Sequence, residues 1–155
     1  LWIMDHLCIA VAFAGCFIRI GNLFNSEIYG DATSLPWGFV FLRNSEVVPK
    51  HPTQLYESLS YLAIFIVLAI IYQRKKGQLH NGRIFGWWLI VLWTVGFLIE
   101  FVKEDQVAFE NGMLFNMGQL LSVPFIIGGI VLVVFSHKGI LHEGIFTNKE
   151  NKKQP

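Results

Sequence analysis

Apolar residues gather along this chain in four long runs, at about residues 2–18, 55–72, 85–102 and 114–135, with polar stretches between them. Each run approaches the roughly 20 residues that a helix needs to cross the hydrocarbon of a bilayer. The pattern predicts an all-α, polytopic membrane helix bundle of about four transmembrane helices, with an extracytoplasmic arm or loop after the first. The second and fourth runs are the cleanest. Asp5 and His6 lie near the start of the first, and Glu100 lies near the end of the third. An ionisable group left unpaired in hydrocarbon is costly, so these positions call for partners.

Charge sets the expected orientation. Arg74, Lys75, Lys76 and Arg83 fall between the second and third runs, and short loops rich in lysine and arginine face the cytoplasm. Residues 19–54 and the loop at about 103–113, with Lys103, Glu104, Asp105 and Glu110, then lie outside. The tail with Lys138, Lys149, Lys152 and Lys153 returns inside. Residues 1–147 are expected to be a membrane-embedded domain and 148–155 a polar, disordered cytoplasmic tail. Arg19, His51 and Glu100 map near one outer face.

Composition agrees with a membrane protein: 155 residues, 54% of them hydrophobic, with a mean hydropathy of +0.50. A net charge of +1 accompanies no basic, aromatic groove, so nucleic acid is not an expected partner. Cys8 and Cys16 lie eight residues apart in an apolar run, the setting of packed free thiols rather than of a metal motif. The first run lacks the basic leader of a signal peptide, and a chain that opens on Leu1 is expected to be a fragment. No internal repeat points to a two-fold transporter. In the long outer stretch, Pro36-Trp37-Gly38-Phe39-Val40-Phe41 suits a short strand or an arm at head-group level. A plain amphipathic linker is the other reading.

The densest polar chemistry is Arg19-Ile20-Gly21-Asn22-Leu23-Phe24-Asn25-Ser26-Glu27-Ile28-Tyr29-Gly30. If the helix continues, Arg19, Asn22 and Ser26 share a face with Asn25 beside them. Arginine's fork of donors matches phosphate oxygens, and amides orient ester and glycerol oxygens. That reading points to a phosphate-bearing lipid head group; an interfacial anchor is the alternative. His51, Gln54, Tyr56 and Glu57 crowd the start of the second run behind Pro52. His51 suits a base near neutral pH; the other reading is that His51 and Gln54 cap the helix, and for His51 capping is the preferred expectation. Glu100 is expected to pair with Arg19 or Lys103. Asn116-Met117-Gly118-Gln119-Leu120-Leu121-Ser122 suits close helix packing and interhelical hydrogen bonds.

Taken in order, these blocks resemble the prolipoprotein diacylglyceryl transferases of the bacterial inner membrane. The carriers are Arg19-x-Gly21-Asn22-x-x-Asn25-x-Glu27-x-x-Gly30, His51-Pro52-Thr53-Gln54-Leu55-Tyr56-Glu57, Glu100-Phe101-Val102-Lys103 and Met117-Gly118-Gln119-x-Leu121-Ser122. The resemblance implies transfer of diacylglycerol from phosphatidylglycerol to the lipobox cysteine thiol of a prolipoprotein signal peptide, with glycerol phosphate leaving. The site is then near the periplasmic face, and no metal or dissociable cofactor is expected. It implies that Arg19 binds the head group, that Asn22 and Glu27 support activity, and that Glu100 supports the arginine side of the pocket. Asn25, Gly30, His51, Gln54, Glu57 and Lys103 complete the expected substrate-binding set. The family's early helices, with their His-Gly-Gly block, have no counterpart here, and Gly96 stands where the family commonly has an arginine. A non-catalytic, truncated lipid-binding module is the competing expectation.

Overall fold

The computed structural model describes residues 1–75, 81–104 and 115–141. The 148–155 tail, Lys76 of the basic loop and Asp105 and Glu110 of the outer loop lie outside the described residues. Four helices account for the apolar runs: α1, Trp2–Asn25; α2, Thr53–Arg74; α3, Arg83–Ile99, prolonged by a 3-10 turn at Glu100–Val102; and α4, Met117–His137. All four are long and apolar enough to cross a membrane. The chain is a multi-pass membrane helix bundle.

The bundle is held by a narrow seam. Cys8, Ala12, Ile64, Leu68 and Ile84 form its buried core, with Tyr61, Phe65 and Trp88 packed against it. Most other large apolar side chains face outward, as they do where lipid replaces water as the solvent. The two cysteines are free and buried, and Cys16 Sγ lies 3.1 Å from Ser58 Oγ across the α1–α2 contact. α3 and α4 approach closely at Gly86 and Gly129. A Cβ added to Gly129 would sit 2.8 Å from the Gly86 carbonyl oxygen, so small residues set this crossing.

Helix ends explain several polar residues that interrupt the runs. Asp5 is buried in α1 because its carboxylate accepts from the Gly82 and Phe85 backbone N–H groups, at 2.6 and 2.8 Å. It supplies from a distant helix the acceptor that the start of α3 lacks, with charge of the favoured sign. Beside it, His6 Nε2 lies 3.0 Å from the Tyr72 hydroxyl. Asn116 caps α4 in a reciprocal capping box with Gln119.

Between α1 and α2 the chain folds into an arm with only isolated bridge pairs among the described residues: Gly30 with Lys103, Ala32 with Lys50, and Phe39 with Lys50. A single 3-10 turn spans Leu42–Asn44. Phe41 is buried and stacks on Tyr29, and Lys50 lies over the Tyr29 ring. The stretch Pro36–Phe41 is thus neither a continuous strand nor a loose linker.

The polar dodecapeptide also divides. α1 ends at Asn25, Ser26 adopts φ 58°, and the Ser26 and Glu27 N–H groups return to the Leu23 and Asn22 carbonyls. This is the hydrogen-bond pattern of a left-handed helix stop. The expected Arg19–Asn22–Ser26 face therefore stops at Asn22. Ile28 also has positive φ, 58°, an uncommon state for a β-branched residue.

Candidate active site

Arg19 continues the buried stripe of α1, since Asp5, Cys8, Ala12 and Cys16 precede it at three- and four-residue steps. On α2 the series Glu57, Tyr61, Ile64 and Leu68 does the same, with Glu57 at the outer end. The two apolar seams thus deliver a cation and a carboxylate to one place. Arg19 Nε lies 2.9 Å from Glu57 Oε2, and Lys103 Nζ lies 3.3 Å from Glu57 Oε1. Lys103 is also 3.3 Å from Glu100 Oε2. Four charges alternate along one chain: Arg19, Glu57, Lys103, Glu100. Glu100 pairs with Lys103, whereas Arg19 takes Glu57.

The pairing at Arg19 uses only part of the guanidinium. Its Nε–H is close to Glu57 Oε2 without the alignment of a hydrogen bond, so the contact is an ion pair and Oε2 has no hydrogen-bond donor. The two terminal nitrogens of Arg19 have no partner among the described residues. These charges line a cavity of about 370 Å³ with Tyr61 from α2, Leu92, Trp93 and Gly96 from α3, and Met117, Gly118 and Ser122 from α4. All four helices contribute. Cationic nitrogens facing a semi-enclosed, partly apolar cavity suit an anion attached to an apolar body.

Gly96 and Gly118 shape this cavity in opposite ways. A Cβ added at Gly96 would meet nothing within 4 Å, so the wall is open there. One added at Gly118 would lie 2.7 Å from Glu100 Oε1. The Glu100 carboxylate therefore rests on the first turn of α4, where the helix dipole favours negative charge.

The other expected site residues lie elsewhere. Asn25 and Glu27 line a separate polar concavity of about 490 Å³ with Tyr29, Asn44 and Glu104. Asn22 lines neither cavity, and its carbonyl takes the Glu27 N–H. Gly30 is buried where an added Cβ would collide with Val102, His51 and Thr53, so its glycine permits a close packing of chain segments. The capping expectation for His51 and Gln54 is overturned: α2 has no side-chain cap. Gln54 is fully buried and donates to the Glu27 carbonyl at 2.6 Å, while Thr53 donates to the Ile28 carbonyl at 2.9 Å. Together they clamp the left-handed turn at residues 26–28. His51 Nδ1 instead lies 3.2 Å from the Tyr56 hydroxyl, which also accepts from Trp37 Nε1.

Sequence reasoning missed Tyr61, Trp93, Gly118 and Ser122 as cavity residues. The signal was present in the four-residue steps Glu57–Tyr61 and Gly118–Ser122, which put both partners on one helix face. It also missed Lys50, a buried cation bonded to Glu104 at 2.9 Å and 3.7 Å from Glu46. The Glu104 hydrogen bond, opposed by burial and aided by the Glu104 and Glu46 charges, raises the Lys50 ammonium above the ordinary 10.5.

A family model described as prolipoprotein diacylglyceryl transferase matches residues 1–135. Relatives named phosphatidylglycerol–prolipoprotein diacylglyceryl transferase include one from Tolumonas auensis, 46% identical over 138 residues, covering 89% of this chain and 53% of the relative. One from Bacteroides fragilis is 45% identical over 136 residues, covering 88% and 49%. One from Porphyromonas gingivalis is 41% identical over 147 residues, covering 86% and 52%. The chain spans about half the length of these relatives.

Proposed function

This chain belongs to the prolipoprotein diacylglyceryl transferase family, and on that premise we propose that it serves transfer of diacylglycerol from phosphatidylglycerol to the lipobox cysteine of a prolipoprotein. The observation that carries the reading is the cavity in which Arg19 and Lys103 present cationic nitrogens beside apolar walls. In the reaction the cysteine thiol gives its proton to water, and its sulfur forms a bond to the glycerol carbon of the lipid while the carbon–oxygen bond to phosphate breaks. The electron pair leaves on glycerol phosphate. Arg19 neutralises that developing charge with its terminal nitrogens, and Glu57 holds the guanidinium by its Nε edge. Lys103, held between Glu57 and Glu100, supplies the second cation.

An apolar cleft between α2 and α3, lined by Ile64, Val67, Leu68, Trp87, Trp88 and Val91, offers a bed for acyl chains. The second polar concavity, with Asn25 and Glu27, lies at the same end of the bundle and suits the peptide substrate. The proposed setting is the bacterial inner membrane with this end periplasmic, residues 1–147 in the membrane and 148–155 in the cytoplasm. The basic residues Arg74, Lys75 and Arg83 at the opposite end support that orientation.

The test is transfer of radiolabelled diacylglyceryl from phosphatidylglycerol vesicles to a lipobox peptide. Equal amounts of lipidated peptide and glycerol phosphate are expected. A second reading, lipid binding without transfer, is favoured by Gly96, which leaves a cavity wall open where an arginine was expected. Selective phosphatidylglycerol binding with no lipidated peptide would establish it, and absence of both would overturn both readings.

A further inference from the structure

The geometry points to Gly118 as a positioning residue: its missing side chain is the seat of the Glu100 carboxylate, and that seat fixes Lys103 in the cavity. The assignment of a role in lipid binding rests on the reading above, whereas the seat itself does not. A Cβ at Gly118 would lie 2.7 Å from both Glu100 Cδ and Oε1, and 3.0 Å from Oε2. Nothing else about the position demands glycine. Gly118 lies in the first turn of α4 without a left-handed φ, and alanine is the better helix former. Local propensity therefore predicts that alanine is welcome, and only the carboxylate says otherwise.

The clash is with the tip of a flexible side chain, not with backbone. Gly118→Ala is accordingly accommodated by swinging Glu100 away, and the fold survives. Two things depend on where that tip rests. Lys103 Nζ is held by Glu100 Oε2 at 3.3 Å and by Glu57 Oε1 at 3.3 Å, with its side chain only 7% exposed. Moving Glu100 removes one of its two anchors. The carboxylate also leaves the favourable end of the α4 dipole. Asn116, whose side-chain amide reaches the Glu100 carbonyl at 3.5 Å, still joins α4 to the end of α3, so the helix pair need not separate.

The test reads Lys103 directly. The protein is reacted in detergent micelles with a small amine-acylating reagent, and the labelling of Lys103 relative to Lys50 is measured by peptide mass spectrometry. Lys50 is the internal control, being bonded to Glu104 away from Gly118. Gly118→Ala is expected to raise the Lys103:Lys50 ratio several-fold with the melting temperature nearly unchanged. In the Glu100→Asp background, where the carboxylate is withdrawn by one methylene, Gly118→Ala is expected to change the ratio no further. A ratio unmoved by Gly118→Ala, or an equal increment in both backgrounds, overturns the assignment whether or not lipid binds. Phosphatidylglycerol affinity, measured on the same four proteins, is expected to fall together with the rise in labelling. If the labelling cycle holds while the unsubstituted protein ignores phosphatidylglycerol, the seat stands and the transferase reading falls.

Discussion

Replacing Arg19 with lysine keeps the charge and removes the fork, and the structure says what that removal costs. Glu57 Oε2 sits 2.9 Å from Nε, and neither terminal nitrogen of the guanidinium has a partner among the described residues. Lysine offers one nitrogen where arginine offers two terminal nitrogens in a planar fork, so two donor atoms facing the phosphate become at most one. The loss of one charge-assisted hydrogen bond to phosphate is worth about 1.5–3 kcal/mol. That corresponds to roughly tenfold to hundredfold in affinity or rate. Glu57 is buried, its side chain 4% exposed, and it keeps Lys103 as a partner, so the substitution does not leave the carboxylate without a cation. The assay is phosphatidylglycerol affinity in micelles, paired with diacylglyceryl transfer to a lipobox peptide, for Arg19→Lys and the parent protein. A melting temperature measured alongside separates binding from folding. Affinity within about twofold of the parent, a difference under about 0.5 kcal/mol, would mean that the fork does not meet phosphate and that Arg19 only ties α1 to α2.

Three further outcomes are expected. Asp5→Ala should destabilise the bundle by about 2 kcal/mol, the upper range for losing a helix-start acceptor, because Gly82 and Phe85 lose a buried partner; thermal unfolding in detergent measures it, and an unchanged midpoint refutes it. Gly96→Arg has room to enter the cavity and should raise phosphatidylglycerol affinity while making Lys103→Ala less damaging. Effects that add within about 0.5 kcal/mol across the four proteins would show that Lys103 does not stand in for an arginine at 96. Lys50 has a raised folded-state pKa, so its contribution to stability is fully present below 10.5 and is lost as pH rises through the higher folded value. The stability difference between the parent and Lys50→Met should stay flat from neutrality to about pH 10 and shrink above; a difference that grows there reverses the reasoning.

Helix number and placement were legible in the sequence because a span needs a long apolar run, and four such runs exist. Their ends were less legible. α1 runs on to Asn25 through Arg19 and Asn22, since an amphipathic turn at the membrane edge carries no apolar signal, and it stops at a serine in a conformation more usual for glycine. That stop is why Arg19 parts from Glu27, whereas Asn25, still in α1, lies six residues further along and therefore on another face of the helix. Asp5 looked like a flaw in a span because its partners are 77 and 80 residues away. Gln54 looked like a helix cap because its position suits one, yet the strained turn at Glu27 and Ile28 claimed it. The partner of Glu100 was legible as one of two cations. The choice of Lys103 was set by the 3-10 turn that brings both onto the same side.

The alternating series Arg19, Glu57, Lys103, Glu100 carries two positive and two negative charges, so by itself it is electrically neutral. On the proposed chemistry, the donor lipid enters with one negative charge on its phosphodiester, while the departing phosphate monoester carries nearly two at neutral pH. A cavity with an excess of cations would grip the product harder than the substrate. Here each added negative charge meets Glu57 and Glu100 as well as Arg19 and Lys103. On that proposal, the carboxylates that hold the cations in place also lower the net pull on the departing phosphate, and weak inhibition by glycerol phosphate is the expected outcome.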